Sequence, residues 1–514
     1  MPRFFNTAGP CLPDRHYMIP PERRLVEARK LVERGLFFVL HAPRQTGKTT
    51  LLNTLARALN QEGLFTALVT SVEHLRRLTD IREGNLSLMH RLYEDSRDLL
   101  PPAEQAPEPS RFSADPPSAL HAFLRAWAAA SPKPLVLFLD EIDCLPEDLL
   151  LSVLGQLRMG GAARPAPFLH SLALVGLRDV RDYRVRLRPE RDSMGTASPF
   201  NVKSDSLTLP SFTRDEVAEL YAQHTAETGQ VFEPAAADVA FEQTQGQPWL
   251  VNALARQITE KEVPDPALPV TAAHVDAARE ALILRRDTHL DALTDKLHEE
   301  RVRRVIEPIL AGTTMPMDMY HDDLQYVRDL GLVVAGPQIR IANPIYAEII
   351  PRSLSYLMQL NIAQESAWYT RPDGSLDMRA ILRGFQAFFA EHSEAWLGRF
   401  DYKEAGPHLV LMAFLQRIVN GGGRVRRELG VGSGRVDLLV EWREARHVLE
   451  LKIRRGERTQ AQGIEQLSRY LDRLGLDEGF LILFDRRPEL GWDERLYEKE
   501  VTGARGQRIV VFGA

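Results

Sequence analysis

Two short stretches carry side chains that could do chemistry. In APRQTGKTT (residues 42–50), Gly47, Lys48 and Thr49 keep the Gly-Lys-Ser/Thr ending of a phosphate-binding loop, while Ala42 stands where that pattern has its first glycine. Backbone N–H groups at the start of a helix, with the helix dipole behind them, favour an anion. Gly47 lets the backbone come close, Lys48 reaches the outer phosphates of ATP, and Thr49 offers its hydroxyl to Mg²⁺. Pro43, Arg44, Gln45, Thr46 and Thr50 make up the rest of the expected loop. The partner stretch is PLVLFLDEID. Asp140 ends its apolar run, where the carboxylate can hold Mg²⁺ through water, and Glu141 is placed to polarise an attacking water. Acids often end strands as solubilising groups; paired with the loop, these two gain a chemical role.

The second chemical centre is RVDLLVEWREARHVLELKIRR, residues 435–455. It reads as two apolar strands around a charged turn, interrupted by Asp437, Glu450 and Lys452. Side chains alternate along a strand. Leu449, Leu451 and Ile453 therefore face one side, and Val448, Glu450 and Lys452 the other. With REAR as the turn and Trp442 opposite His447, Asp437 lies across from Lys452 and diagonal to Glu450, close enough for two carboxylates to share one ion. Such a set suits metal-assisted phosphodiester hydrolysis. Asp437 and Glu450 would bind Mg²⁺ or Mn²⁺, and Lys452 would orient the attacking water and steady developing charge. Gly432 and Gly434 suit close approach of the backbone to substrate. The competing reading is a solvent-facing hairpin with cross-strand ion pairs, which contribute little.

The bulk numbers allow both centres in one chain. The 514 residues suggest several domains, and 44% hydrophobic with 26% charged residues is ordinary for globular protein. A net charge of -6 argues against a chain that coats nucleic acid along its whole length, but not against a local basic groove. Cys11 and Cys144 are far apart and form no CxxC pair, which excludes a disulfide framework and argues against structural zinc. Cys144 reads as a small core residue. The N-terminus lacks an apolar signal core and no stretch is long and apolar enough to span a bilayer, so a cytoplasmic protein with no membrane partner is expected.

The elements that must position these residues follow from pattern. PPERRLVEARKLVERG predicts a helix, LFFVLHA a strand, LLNTLARALNQEG a helix and LFTALVTSVE a strand: the order of a parallel sheet. Residues 101–117 read as a proline-rich loop or lid insertion, followed by the helix SALHAFLRAWAAAS, the strand PLVLFLD and the strand FLHSLALVGLRD. Residues 181–206 read as irregular. From Thr213 to Arg285 the pattern is helical. RVRRVIEPILAG and DDLQYVRDLGLV are helices, and LVVAGPQIRIANPIY is a hairpin, the order of a winged helix-turn-helix. DDLQYVRDLGLV is poorly basic, which favours a spacer or clamp over a reader of DNA. The expected organisation is an N-terminal segment (1–30), an α/β core (31–210), a helical lid (211–285), a winged helix (286–352), a connector (353–385) and a C-terminal α/β domain (386–514).

GKTT, LDEID, GLRDVRDY (176–183) and GQPWLVNALARQI (246–258) together resemble a bacterial family of AAA-like P-loop ATPases of the signal-transduction branch. The resemblance implies nucleotide contacts from Gln247, Pro248 and Arg256, and a charge-stabilising role for Arg178. GRVDLLV and LELK resemble the PD-(D/E)XK nucleases, although Val436 stands where the motif's proline would be. That likeness extends to GIEQLSRYLDRL, where it implies an active-site role for Gln466, and to an acid of the first helix, for which Glu404 is the candidate. The fold expected is therefore α/β throughout: a P-loop NTPase parallel sheet with a helical lid, a winged helix-turn-helix, and a C-terminal PD-(D/E)XK nuclease-like domain. The function implied is an ATP-binding and ATP-hydrolysing protein coupled to a metal-dependent nuclease acting on DNA, in defence or mobile-element biology, with homo-oligomers on ATP binding. The alternative is a nucleotide-gated scaffold whose nuclease-like domain binds without cutting.

Overall fold

The computed structural model describes residues 3–112, 118–163, 165–177, 205–285, 295–310, 322–334, 336, 339–361, 369–399, 406–419, 423–431, 434–454, 456, 458–485, 487 and 490–514. The chain divides into two compact units, Met1–Arg285 with Arg328–Gly331, and Arg286–Val327 with Leu332–Ala514.

The first unit is built on five parallel strands, β1 (Phe37–His41), β2 (Thr66–Ser71), β3 (Leu135–Asp140), β4 (Ser171–Gly176) and β5 (Asp205–Thr208), in the order β2-β3-β4-β1-β5. Central strands made almost wholly of apolar residues are the mark of a sheet covered on both faces. Here Val39, Leu137 and Leu174 pack against the helices Ile81–Leu99, Ala119–Ala130 and Glu147–Ala162. Their neighbours Phe38, Phe138 and Val175 pack on the other face against the helices Val26–Glu33 and Lys48–Glu62.

Three features differ from the pattern-based expectations. The helices Ile81–Leu99 and Glu147–Ala162 are not anticipated there, although Asp80 caps the first by accepting from Glu83 N. Strand β5 lies at the end of the stretch expected to be irregular. It is an exposed edge strand with a single partner among the described residues, and it carries no apolar run to betray it. The described part of the proline-rich stretch, residues 101–112, is anchored at Glu104. Glu104 is buried, its carboxylate bound by Lys133 Nζ at 2.5 Å and by Thr66 Oγ1 at 2.6 Å, and its carbonyl accepts from Trp127 Nε1.

The helices of residues 214–285 follow. Thr213 and Glu216 form a capping box at the start of Arg214–Thr228. The helix Pro248–Gln257 begins with Gln247 as its cap, Oε1 accepting from Leu250 N at 2.6 Å. The turn before it depends on Gly246, at φ 71°, where a Cβ would fall 1.9 Å from Phe212 O. Gly246→Ala is expected to destabilise the first unit by about 2–4 kcal/mol, from left-handed strain plus a backbone clash. A denaturation midpoint close to that of the parent protein would contradict this.

In the second unit the helix Glu300–Leu310 and all but the last two residues of the helix Asp322–Asp329 precede a small antiparallel ladder, β6 (Val333–Val334) with β7 (Arg340–Ile341). The helix Pro344–Asn361 runs through residue 353, and Met378–Arg399 starts ahead of residue 386, so helices cross both ends of the expected connector. A mixed sheet of six strands follows: β8 (Gly423–Val431), β9 (Gly434–Trp442), β10 (Ala445–Ile453), β11 (Glu478–Phe484), β12 (Tyr497–Thr502) and β13 (Arg508–Gly513), in the order β12-β13-β11-β10-β9-β8. Leu449, Leu451, Ile482 and Phe512 face a core with Phe385, Phe389 and Leu411 of the helices Met378–Arg399 and Gly406–Val419. Leu439, Val448, Leu481 and Val511 face a second core against Leu467 and Leu471 of the helix Arg458–Leu474. Both faces of β10 are therefore covered, and the face that bears Glu450 is not a solvent face. Among the described residues no helix is long and apolar enough to cross a membrane.

Candidate functional site

The phosphate loop joins β1 to the helix Lys48–Glu62. Gly47 caps that helix at φ 87°, a left-handed conformation that favours glycine, and Gln45 shares it at φ 58°. Thr46 Oγ1 donates to Pro43 O at 2.9 Å. Lys48 Nζ donates to Ala42 O at 2.7 Å and to Pro43 O at 2.8 Å. Burial pushes its ammonium down to about 8, against the pull of Asp140 and Asp143. Thr49 Oγ1 donates to Asp140 Oδ2 at 2.5 Å, so the hydroxyl and the carboxylate expected to share Mg²⁺ lie together at the end of β3. This hard-oxygen pair fits a divalent ion bound with nucleotide. Burial raises the Asp140 carboxyl despite Thr49 and Lys48.

Glu141 stands at φ 61°, which turns its side chain out of the strand direction. Ser71 Oγ, at the end of β2, donates to Glu141 Oε2 at 3.0 Å. Burial raises the Glu141 carboxyl, with Glu73 and Asp140 adding to the rise and Ser71 opposing it. Cys144 is not a core residue. It is half-buried, lines the same cavity and accepts from Arg76 at 3.1 Å, because the short turn Ile142–Cys144 has already left the sheet.

That cavity measures about 580 Å³, within the range of small-ligand pockets. Residues 44–50 of the loop line it, as do Asp140, Glu141 and Pro248; Pro43 contributes its carbonyl to Lys48 from behind. Arg256 is not among the lining residues; it bonds Glu260 and Thr7 Oγ1. Arg178 lies outside the described residues. Motif reading misses two parts of this wall. One is the N-terminal segment: Cys11 N donates to Thr50 Oγ1 at 2.9 Å, and Thr7 O accepts from Trp249 Nε1 at 2.9 Å. The other is the pair Trp249 and Asn252 on the helix Pro248–Gln257. Neither forms a spaced pattern. The only signal is an asparagine inside a helix, where that residue is disfavoured.

In the second unit the hairpin turn is shorter than expected. Trp442 pairs with Ala445, which leaves Arg443 and Glu444 as a two-residue turn with Arg443 at φ 52°. The register runs on to Leu438 opposite Leu449. Continued by one residue, it sets Asp437 across from Glu450 rather than Lys452. The shift is by two residues, so every side chain keeps its face.

Asp437 Oδ2 accepts from Leu451 N at 2.8 Å, and Lys452 Nζ donates to Glu450 Oε1 at 2.6 Å. Glu450 is fully buried, and its Oε2 has no hydrogen-bond donor among the described residues. Burial first, and the Asp437 carboxylate second, push the Glu450 carboxyl up to about 8 against Lys452. Burial alone would lower the Lys452 ammonium, but Asp437 and Glu450 outweigh it and hold it above its ordinary value. Gln466 Nε2 donates to Tyr470 OH at 3.0 Å one helical turn on, and Tyr470 acts on Lys452. An unsatisfied buried carboxylate oxygen beside a second carboxylate is costly unless a cation joins them. The pair therefore fits a divalent metal. Glu404 and Gly432 lie outside the described residues.

The fold and both sites define a P-loop ATPase sheet and a nuclease-like sheet in one chain. Residues 23–163 match the AAA ATPase domain, and residues 404–481 match the endonuclease NucS C-terminal domain. The chain thus carries an AAA ATPase domain followed by a NucS-type nuclease-like domain. Among solved structures it is similar to the Walker-type ATPase of Pyrococcus abyssi, at 15% identity and a TM-score of 0.47 over 67% of this chain and 99% of that one. It is also similar to the RuvB Holliday junction branch migration motor of Thermotoga maritima, at 16% identity and 0.34 over 64% and 93% of the two chains. A third is Cdc6p of Pyrobaculum aerophilum, at 14% and 0.36 over 66% and 94%. No curated protein matches it in sequence.

Proposed function

We propose that this chain is an ATP-hydrolysing switch or motor coupled to a metal-dependent nuclease that acts on DNA. The observation that carries the nuclease half is the full burial of Glu450 beside the half-buried Asp437 and Lys452, with Glu450 Oε2 left without a donor among the described residues. A hairpin with ordinary surface ion pairs has no need of such burial. Mg²⁺ or Mn²⁺ held by Asp437 and Glu450 would supply Lewis-acid polarisation of a phosphodiester oxygen. Lys452 offers a fixed positive charge where negative charge develops, and Gln466, braced by Tyr470, helps to orient substrate. The match to an endonuclease domain supports DNA as the substrate. The two helices and short ladder of residues 300–341 are read as a winged helix acting as a spacer.

In the first unit Lys48 neutralises the outer phosphates and Glu141 orients the attacking water; Thr49 and Asp140 would hold a Mg²⁺ that would supply further charge neutralisation. Glu141→Gln tests this directly. ATP should still bind, while turnover falls by about a hundredfold or more. Turnover equal to that of the parent would remove Glu141 from the chemistry. ATP-driven assembly into homo-oligomers is part of the same reading, and a mass measurement with and without ATP checks it.

A second reading, a nucleotide-gated scaffold whose C-terminal domain binds without cutting, is favoured by one observation: Lys452 Nζ donates to Glu450 Oε1 at 2.6 Å, an ion pair that needs no metal. Incubation with plasmid DNA, divalent metal and ATP separates the two readings.

A further inference from the structure

We infer that Arg454 binds a phosphate of the nucleic-acid backbone, next to the phosphate that Asp437, Glu450 and Lys452 would face. The inference rests on the reading of the C-terminal domain as one that takes DNA, and adds a contact that fixes where the strand lies.

Arg454 directly follows β10. Its N–H donates to Phe484 O at 2.9 Å, so the parallel pairing with β11 runs one residue past the end of the strand. Alternation then sets its side chain on the face that bears Val448, Glu450 and Lys452. The position of its ion-pair partner agrees. Asp485 follows Leu481 and Leu483, which share the second core with Val448. Two residues along a strand is a step of about 7 Å, so the backbone of Arg454 lies that far from the backbone of Lys452.

Of the three cations gathered here, two are already held. Lys452 Nζ donates to Glu450 Oε1 at 2.6 Å. Arg487 grips both oxygens of Asp485, Nη2 donating to Oδ2 at 2.6 Å and Nε to Oδ1 at 2.9 Å. Arg454 differs. Its ion pair with Asp485 is long, 3.8 Å from Nη1 to Oδ2, and its guanidinium makes no hydrogen bond among the described residues. The Asp485 side chain is only 5% exposed, and the fork of Arg487 already neutralises it. Asp485 therefore steers Arg454 by charge without occupying its donors. The side chain of Arg454 keeps 30% of its surface open, with five N–H groups in a planar fork. Such a fork suits the paired oxygens of a phosphate, and here it stands beside a centre that fits phosphodiester chemistry.

The test measures binding of labelled DNA to the full chain without divalent metal, so that nothing is cut, over a range of salt. Each phosphate contact adds to the slope of log affinity against log salt. In Arg454→Gln, which keeps most of the stem and loses the charge, the slope should become shallower by about 0.9 on a duplex or about 0.7 on a single strand, whichever the parent binds. Affinity at low salt should fall about tenfold, equally for two unrelated sequences. Arg454→Lys should keep the parent's slope, because it keeps the charge. An arginine that served only as a partner of Asp485 would leave the slope unmoved. A slope unchanged in Arg454→Gln, or reduced as much in Arg454→Lys, overturns the inference while DNA binding by the parent stands. If the slopes change as expected but plasmid DNA stays intact with Mg²⁺ or Mn²⁺, the contact holds and the cutting half of the proposed function falls. If the parent binds no DNA at all, both fail together.

Discussion

Lys48→Ala is expected to abolish ATP turnover, with a loss of about a hundredfold to a thousandfold, because it removes the one ammonium that the loop holds against the outer phosphates. The fold should survive. Lys48 Nζ bonds only the carbonyls of Ala42 and Pro43 within the loop, and Leu51, Leu52 and Leu55 keep the following helix packed on the sheet. A thermal melt separates the two effects. At saturating nucleotide the parent should gain about 2.7 kcal/mol of stability for ligand at a hundred times its dissociation constant. Lys48→Ala should gain far less while melting near the parent without nucleotide. The pH dependence has a fixed sign. Burial pulls the Lys48 ammonium down to about 8, and phosphate binds the charged form. Affinity should therefore hold below about pH 8 and weaken as pH rises through it. A variant that turns over ATP like the parent would mean that residues 42–50 do not form a phosphate loop.

How much of this could be read in advance depended on whether each residue belonged to a spaced pattern. The strands β1 to β4 are legible because buried parallel strands are continuous apolar runs. β5 is not, because an exposed edge strand has no such run. The phosphate loop and Asp140–Glu141 are legible because phosphate chemistry fixes both residue type and spacing. The convergence of Asp437 and Glu450 is legible from strand alternation alone, which survives a shift of two residues; the turn length that sets the register is not. What escapes is everything brought in from afar. Ser71 reaches Glu141 only because β2 lies beside β3, and Cys11 meets Thr50 only because the N-terminal segment crosses the start of the loop helix. The second core on the Glu450 face escapes for the same reason, since the helix that makes it begins only after β10 has ended.

Asp437→Ala is expected to abolish cleavage of plasmid DNA in Mg²⁺ or Mn²⁺, a loss of about a thousandfold for an interaction worth several kcal/mol. Loss of activity alone would not show why, so the proton on Glu450 supplies the sharper measurement. In the folded domain that carboxyl is raised from 4.5 to about 8 by burial and by Asp437. Between those values the folded chain holds a proton that the unfolded chain has released. The unfolded state then binds fewer protons, so metal-free stability should fall as pH rises from about 4.5 to about 8 and level off above. A divalent ion needs the carboxylate form and must displace the same proton. Its apparent affinity should climb about tenfold per pH unit up to about pH 8 and then flatten. Melting curves with and without Mn²⁺ across this range read both trends. Glu450→Gln, which keeps the neutral shape of the protonated acid, should fold well and show no stabilisation by Mn²⁺ at any pH. Asp437→Ala should return the Glu450 carboxyl toward its ordinary range, because the neighbouring negative charge is gone, while still losing the metal. Stabilisation by Mn²⁺ that persists in Glu450→Gln, or that ignores pH in the parent, would place the ion away from this pair. The cluster around the buried Glu450 would then be structural and the nuclease reading would fall.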